Sequence, residues 1–331
     1  MFKYEDIKAK VIAEKVDSET GIFDYSSSDY AKEYEDLFQF YQGNLVQHYY
    51  YGIDPAIFFF KNNLKVNAAA GKTPNGVSVC LINYGTIEKH LKNFKFNTTL
   101  LQSIPELSDL IEFENRINCP IHLLLFQASI GFTFYHELGH LIQKNEIPDF
   151  SNESYSNSGF DLQRHVNEMD SDTFSALSLG AHFYQFQEKH TLTLNSSDDA
   201  MTLVAILSSG VLLHMLSYPS YNVPFYKKVG SHPHASIRIL HVIHTIADYY
   251  QLVFNDKTLG LSINELMVIK RTIQYSEIMC SHFYSSSIFD PLKDAVQNHE
   301  TDMKSYYAEL ISLLNANEDS ATFKRNQLAK K

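Results

Sequence analysis

The sequence predicts an α+β fold, mostly α-helical with one small β-hairpin, and three observations carry that reading. An apolar run from Ile121 to Tyr135 continues into HELGHLIQK and stops before Pro148, as one long buried helix would. Residues Leu64 to Ile87, LKVNAAAGKTPNGVSVCLINYGTI, hold two β-compatible runs on either side of a Gly-Lys-Thr-Pro-Asn-Gly turn cluster. Beyond Leu162 helical patterns dominate.

Taken in order, residues 1 to 60 read as helix and loop with many aromatics, among them Tyr49-Tyr50-Tyr51 and Phe58-Phe59-Phe60. They show no catalytic spacing and are expected to form a packing layer. In the hairpin, Val77, Val79 and Leu81 alternate with Ser78 and Cys80, the period of two of a half-buried strand. After the long helix, Pro148 to Gly159 is a polar loop without periodicity and a candidate lid. A second helix is expected from about Leu162 to Gln187, and a third over Ala200 to Ser217. The start of the third is marked by Asn195-Ser196-Ser197-Asp198-Asp199, and Pro219 lies just past its end. A Pro- and Tyr-rich loop follows from Tyr218 to Gly230, and the chain from Ser236 onward is mostly helical in pattern. With no internal repeat or linker, residues 1–331 read as a single domain: an N-terminal aromatic layer over 1–63, a core over 64–245 and a C-terminal helical extension over 246–331.

The chain has 331 residues, 44% apolar and 20% charged, which supports a sizeable core and excludes both disorder and a disulfide-stapled miniprotein. Lys plus Arg number 27 against 38 Asp plus Glu, and the net charge of −11 repels phosphate backbones, so nucleic acid is excluded as a partner. Cys80, Cys119 and Cys280 are widely spaced and odd in number, the pattern of free thiols in a reducing compartment. The opening MFKYEDIKAKVIAEK lacks a signal peptide's apolar stretch, so a cytoplasmic location is expected. Residues 200–217 approach the length of a membrane span but carry Thr202, Ser208, Ser209 and His214. A buried core helix is expected there in preference to a span, and membrane contact is possible but not expected.

The chemistry centres on His136-Glu137-Leu138-Gly139-His140. Residues four apart on a helix share a face, so both imidazoles can bind one Zn²⁺ while Glu137, about a quarter turn away, reaches a zinc-activated water. The motif ends a buried apolar helix, where polar groups need a reason to be present. A catalytic zinc takes three protein ligands and keeps one position open. An HExxHxxGxxH set is excluded because Gln143 and Glu146 stand where Gly and His belong. On the second helix Glu168 and Asp172 lie four apart on one face, so Glu168 is taken as third ligand and Asp172 as the carboxylate that orients a ligand histidine. His165 and Asp170 are the other candidates for that ligand role. In Ser231-His232-Pro233-His234, followed by Arg238, the His232 imidazole and the Arg238 guanidinium fit the stabilisation of negative charge on a carbonyl oxygen.

The order Asn67-Ala68, HELGH, Glu168-x-x-x-Asp172-x-x-x-Ala176 and His232-Pro-x-x-x-x-Arg238 resembles the gluzincin metallopeptidases that include the CAAX prenyl proteases and the HtpX heat-shock proteases. The resemblance covers roughly residues 64 to 245. It implies a zincin-like fold in which the strand opening with Asn67-Ala68 is the edge where substrate lies. It further implies that His136, His140 and Glu168 bind zinc, Glu137 is the general base, Asp172 orients a ligand histidine, His232 stabilises the transition state and Arg238 supports it. The chain departs from the prenyl proteases in having at most one apolar span, and Ala69-Ala70-Gly71-Lys72 replaces their glycine-rich step. In size and in its FYHELGH context it is similar to the phage-exclusion peptidases of the Lit type, which implies an intracellular protease held quiet until a specific host protein is presented.

The expected function is therefore a zinc endopeptidase acting on a protein or peptide substrate. The alternative is a binding or sensor module that keeps the zincin fold without proteolysis.

Overall fold

The structure, a computed structural model, describes residues 1–143, 159–189, 194–218, 223–256, 261–284 and 289–329. Two short helices open the chain, α1 (Tyr4–Ala13) and α2 (Ala31–Gln47). They pack on a three-stranded sheet of β1 (Ala56–Lys61), β2 (Ala68–Lys72) and β3 (Ser78–Asn83), in the order β1-β3-β2. β2 and β3 form the expected antiparallel hairpin, with Ala70 opposite Cys80. β1 runs parallel to β3, with Phe58 opposite Cys80.

Two expectations are corrected here. Phe58-Phe59-Phe60 belongs to a strand and not to a helix-and-loop layer. β3 is also buried on both faces instead of one, since Ser78 and Cys80 are as inaccessible as Val79. Both errors share a cause. A strand covered on both sides shows a continuous apolar run or a mixed one, so periodicity does not report its burial.

The chain then passes through α3 (Tyr84–His90), α4 (Leu100–Ser103) and α5 (Asp109–Ile117) to α6 (Ile121–Ile142), the expected long helix. α6 is apolar on nearly all sides and therefore central. It packs against β2 and β3, α7 (Leu162–Lys189) and α8 (Ser197–Met215). The side chain of Ser196 caps α8 by accepting from the Asp199 N–H. Among the described residues α8 is the one helix long and apolar enough on its own to cross a membrane, and 89% of that apolar stretch is buried. Two of its polar residues find partners inside the protein: Ser209 Oγ donates to the Ala205 carbonyl at 2.8 Å, and the His214 ring lies 2.8 Å from both His90 Nε2 and Thr133 Oγ1. The expected candidate lid, Pro148 to Gly159, lies outside the described residues except for Gly159.

α9 (Ala235–Asp256) and α10 (Glu265–Phe283) pack with α8, and α11 (Asp290–Asn298) and α12 (Glu300–Asn315) follow. A second, smaller apolar cluster joins α7, α9 and α12 through Val166, Met169, Ile237, Tyr306 and Leu310. The last helix, α13 (Ala321–Leu328), returns across α7 and α6.

Candidate metal centre

α6 and α7 make one of the closest helix pairs in the fold, and a glycine allows it. A Cβ on Gly139 would stand 3.0 Å from Ser171 Cα and 3.1 Å from its Oγ, so only glycine in HELGH lets α7 approach this far. The approach sets the last turn of α6 against the middle of α7. His136 and His140 thereby come to face Glu168, and the donor atoms of the three lie within 4.8 Å of one another. His136 Nε2 and His140 Nε2 are 3.1 Å apart. Glu168 Oε2 is 3.5 Å from the first and Oε1 3.4 Å from the second.

The far side of each ring is held by another residue. His136 Nδ1 lies 3.0 Å from Asp172 Oδ1, in an ion-pair contact met at an oblique angle. His140 Nδ1 lies 3.2 Å from Gln143 Oε1 and 3.1 Å from Ser171 Oγ. Where Nδ1 carries the proton on both rings, each Nε2 lone pair faces the other imidazole and the Glu168 carboxylate. Two imidazoles and a carboxylate gathered this closely could hold a cation.

The charge count points the same way. Asp172 is fully buried and accepts two hydrogen bonds from Arg238, Nε to Oδ2 at 2.7 Å and Nη2 to Oδ1 at 2.8 Å. Arg238 Nη1 is also 3.3 Å from Glu168 Oε2. Two carboxylates thus share one guanidinium, and the cluster stays negative while its histidines are neutral. Burial opposes charge on both carboxyls. For Asp172 it is outweighed by Arg238 and His136, and the pKa falls to about 2. For Glu168 it is outweighed by His232, His140 and Arg238, and the pKa lies well below the ordinary value. Burial likewise disfavours charge on His136 and His140, yet the Asp172 and Glu168 contacts at His136 and the Glu168 charge at His140 raise both above the usual imidazole range. The pocket draws in positive charge, and the donor set of two imidazoles and a carboxylate fits Zn²⁺.

Glu137 is buried, 7% exposed, on the sheet side of α6. Burial pushes the Cys80 thiol on β3 well above its ordinary pKa, and the Glu137 carboxylate adds to that rise. His232 stands at the solvent side, 48% exposed, with Nε2 3.4 Å from Glu168 Oε1 and Nδ1 2.8 Å from Ser231 Oγ. Two residues on, His234 begins α9: its Nδ1 accepts from the Ser236 N–H at 3.2 Å. Asn67 and Ala68 open β2 at the sheet margin, where Asn67 exchanges hydrogen bonds with Thr86 Oγ1 at 2.9 and 3.0 Å.

The two other candidates for third ligand are occupied elsewhere. His165 has Nδ1 2.7 Å from Tyr306 Oη and Nε2 3.2 Å from the Gly230 carbonyl. Asp170 accepts from the N–H groups of Ala321 and Thr322, at 2.6 and 3.0 Å. Sequence reasoning missed Gln143 and Ser171. Gln143 follows His140 by three residues, a helical spacing that was available as a signal.

A second group, His244, Asp248 and Glu265, also brings possible metal donors together. There one imidazole is clamped at opposite nitrogens, Nδ1 2.5 Å from Glu265 and Nε2 3.4 Å from Asp248, and all three side chains are at least 40% exposed. The first group, only 12 to 16% exposed, is the stronger candidate. No protein-family model, no curated protein and no solved structure matches the chain.

Proposed function

We propose that this protein is a zinc-dependent endopeptidase of the gluzincin kind, with His136, His140 and Glu168 as ligands and Glu137 as general base. What carries the proposal is the meeting of two imidazole Nε2 atoms with one carboxylate, beside a buried glutamate on the same helix. Zn²⁺ in that donor set supplies a Lewis acid that acidifies water and polarises a carbonyl oxygen. Glu137 takes the proton of the attacking water and returns it to the leaving amine. His232, half exposed at the mouth, donates its N–H to the substrate's carbonyl oxygen as negative charge builds there. Arg238 acts through Asp172 and Glu168, holding both carboxylates in place. The margin strand from Asn67-Ala68 accepts an extended polypeptide as an added strand, so the substrate is a protein segment that can unfold locally. Three buried free cysteines fit work in the cytoplasm, under control of the kind the Lit-type resemblance implies.

The test is to incubate zinc-loaded protein with a proteome-derived peptide library and to read newly formed amino termini. New termini from the wild type should fall about a hundredfold or more in Glu137→Gln, which keeps its zinc. Equal cleavage by both proteins, or none by the zinc-loaded wild type, would contradict the proposal and favour the binding-module alternative.

A further inference from the structure

The His140 ring is tied to the far end of the chain. Gln143 Oε1 faces His140 Nδ1 at 3.2 Å, while Gln143 Nε2 donates to Asp170 Oδ2 at 2.7 Å, to the Asn167 carbonyl at 2.8 Å and to Ser171 Oγ at 3.1 Å. The amide can face only one way, because its NH₂ group meets two strong oxygen acceptors and its carbonyl meets a ring nitrogen. Asp170 is fully buried, and its carboxylate is gripped by the first two N–H groups of α13, Ala321 N to Oδ2 at 2.6 Å and Thr322 N to Oδ1 at 3.0 Å. A carboxylate at a helix N-terminus meets both unpaired N–H groups and the positive end of the helix dipole. Lys324, one turn along, donates to the Ile142 carbonyl at 3.0 Å, at the end of the helix that carries both histidines. Arg325 reaches the Leu177 carbonyl on α7 at 3.4 Å.

Resting on the metal-centre reading above, we infer that α13 is a working part of the site. Its N-terminus fixes Asp170, Asp170 fixes the Gln143 amide, and Gln143 sets the tautomer and orientation of His140 so that Nε2 carries the lone pair. Gln143 and Asp170 are positioning residues, and the C-terminal helix governs metal affinity without touching the metal. Its removal loosens the second imidazole ligand. His136 has a separate support in Asp172 and Arg238, so loss of the α13 chain of contacts weakens the site without abolishing it.

The experiment measures Zn²⁺ affinity of the full-length protein by competition with a chromophoric chelator. The Co²⁺-substituted visible spectrum reports on ligand geometry. Gln143→Leu and Asp170→Asn should each bind Zn²⁺ about tenfold or more weakly and shift the Co²⁺ bands. The double variant should be no weaker than the worse single one, because the two act in series. Gln143→Glu, which keeps an acceptor for His140 Nδ1 but gives up the donor to Asp170, should lose affinity as Asp170→Asn does. Stopping the chain before Ser320 should reproduce the Asp170→Asn effect; if that protein does not fold, the point variants decide. Wild-type affinity and spectra in both single variants, or losses that multiply in the double, would overturn this inference alone. A wild type that binds no Zn²⁺ would overturn the metal-centre reading with it.

Discussion

Between the His136 ring and the Arg238 guanidinium, the fully buried Asp172 carboxylate joins the candidate metal ligands to the basic residue of α9. Its pKa of about 2 lies below the ordinary 3.8, so the folded state favours the charged form. Such a group adds stability that is present above about pH 4 and lost as the pH falls through about 2, a contribution of roughly 2 kcal/mol. Asp172→Asn leaves Arg238 buried against a neutral partner and should cost roughly 3 kcal/mol at neutral pH. Urea unfolding of the metal-free proteins between pH 5 and 2 checks both points. The wild-type curve should fall toward acid, and the gap between wild type and variant should narrow. A gap that is constant with pH would show that Asp172 does not carry the charge assigned to it. His136, Glu137 and His140 could be recognised from the chain because two histidines at helical spacing need no tertiary information to share a face. The spacing of Gln143 to His140 is equally local, but its contacts to Asn167 and Asp170 exist only once α7 has been brought against it.

At the scale of elements, the α6–α7 contact is what converts motif into site. Gly139→Ala places a methyl 3.0 Å from the Ser171 backbone, which has no flexible end to yield. The helices must separate slightly, and the variant should lose about 1 to 3 kcal/mol by thermal or urea unfolding while binding zinc more weakly. Unchanged stability and affinity would mean that the close approach is unnecessary. α6, α7, α8 and the β2–β3 hairpin could all be read from periodicity, caps and turn residues. β1 was not, because three consecutive phenylalanines carry no period and the parallel partner lies 22 residues away in sequence, as the Phe58–Cys80 pairing illustrates.

For the molecule as a whole, the apolar centre is α6 with α8 beside it, and the chemistry sits where α6 emerges from that core toward α7 and α9. Sequence order alone placed Glu168 and Asp172 in one segment and His232 and Arg238 in another, both apart from HELGH; folding brings them within hydrogen-bond or ion-pair range of one another or of the two histidines. What the chain could not reveal was the docking of α13 on Asp170, since nothing in ATFKRNQL signals that contact. The central claim is that His136, His140 and Glu168 together hold one zinc ion. Elemental analysis of the purified wild type beside His140→Ala and Glu168→Ala tests it most directly. One zinc per wild-type chain, lost or greatly weakened in both variants, is the expected result. A wild type without zinc after supplementation, or a Glu168→Ala protein that retains it fully, would contradict it.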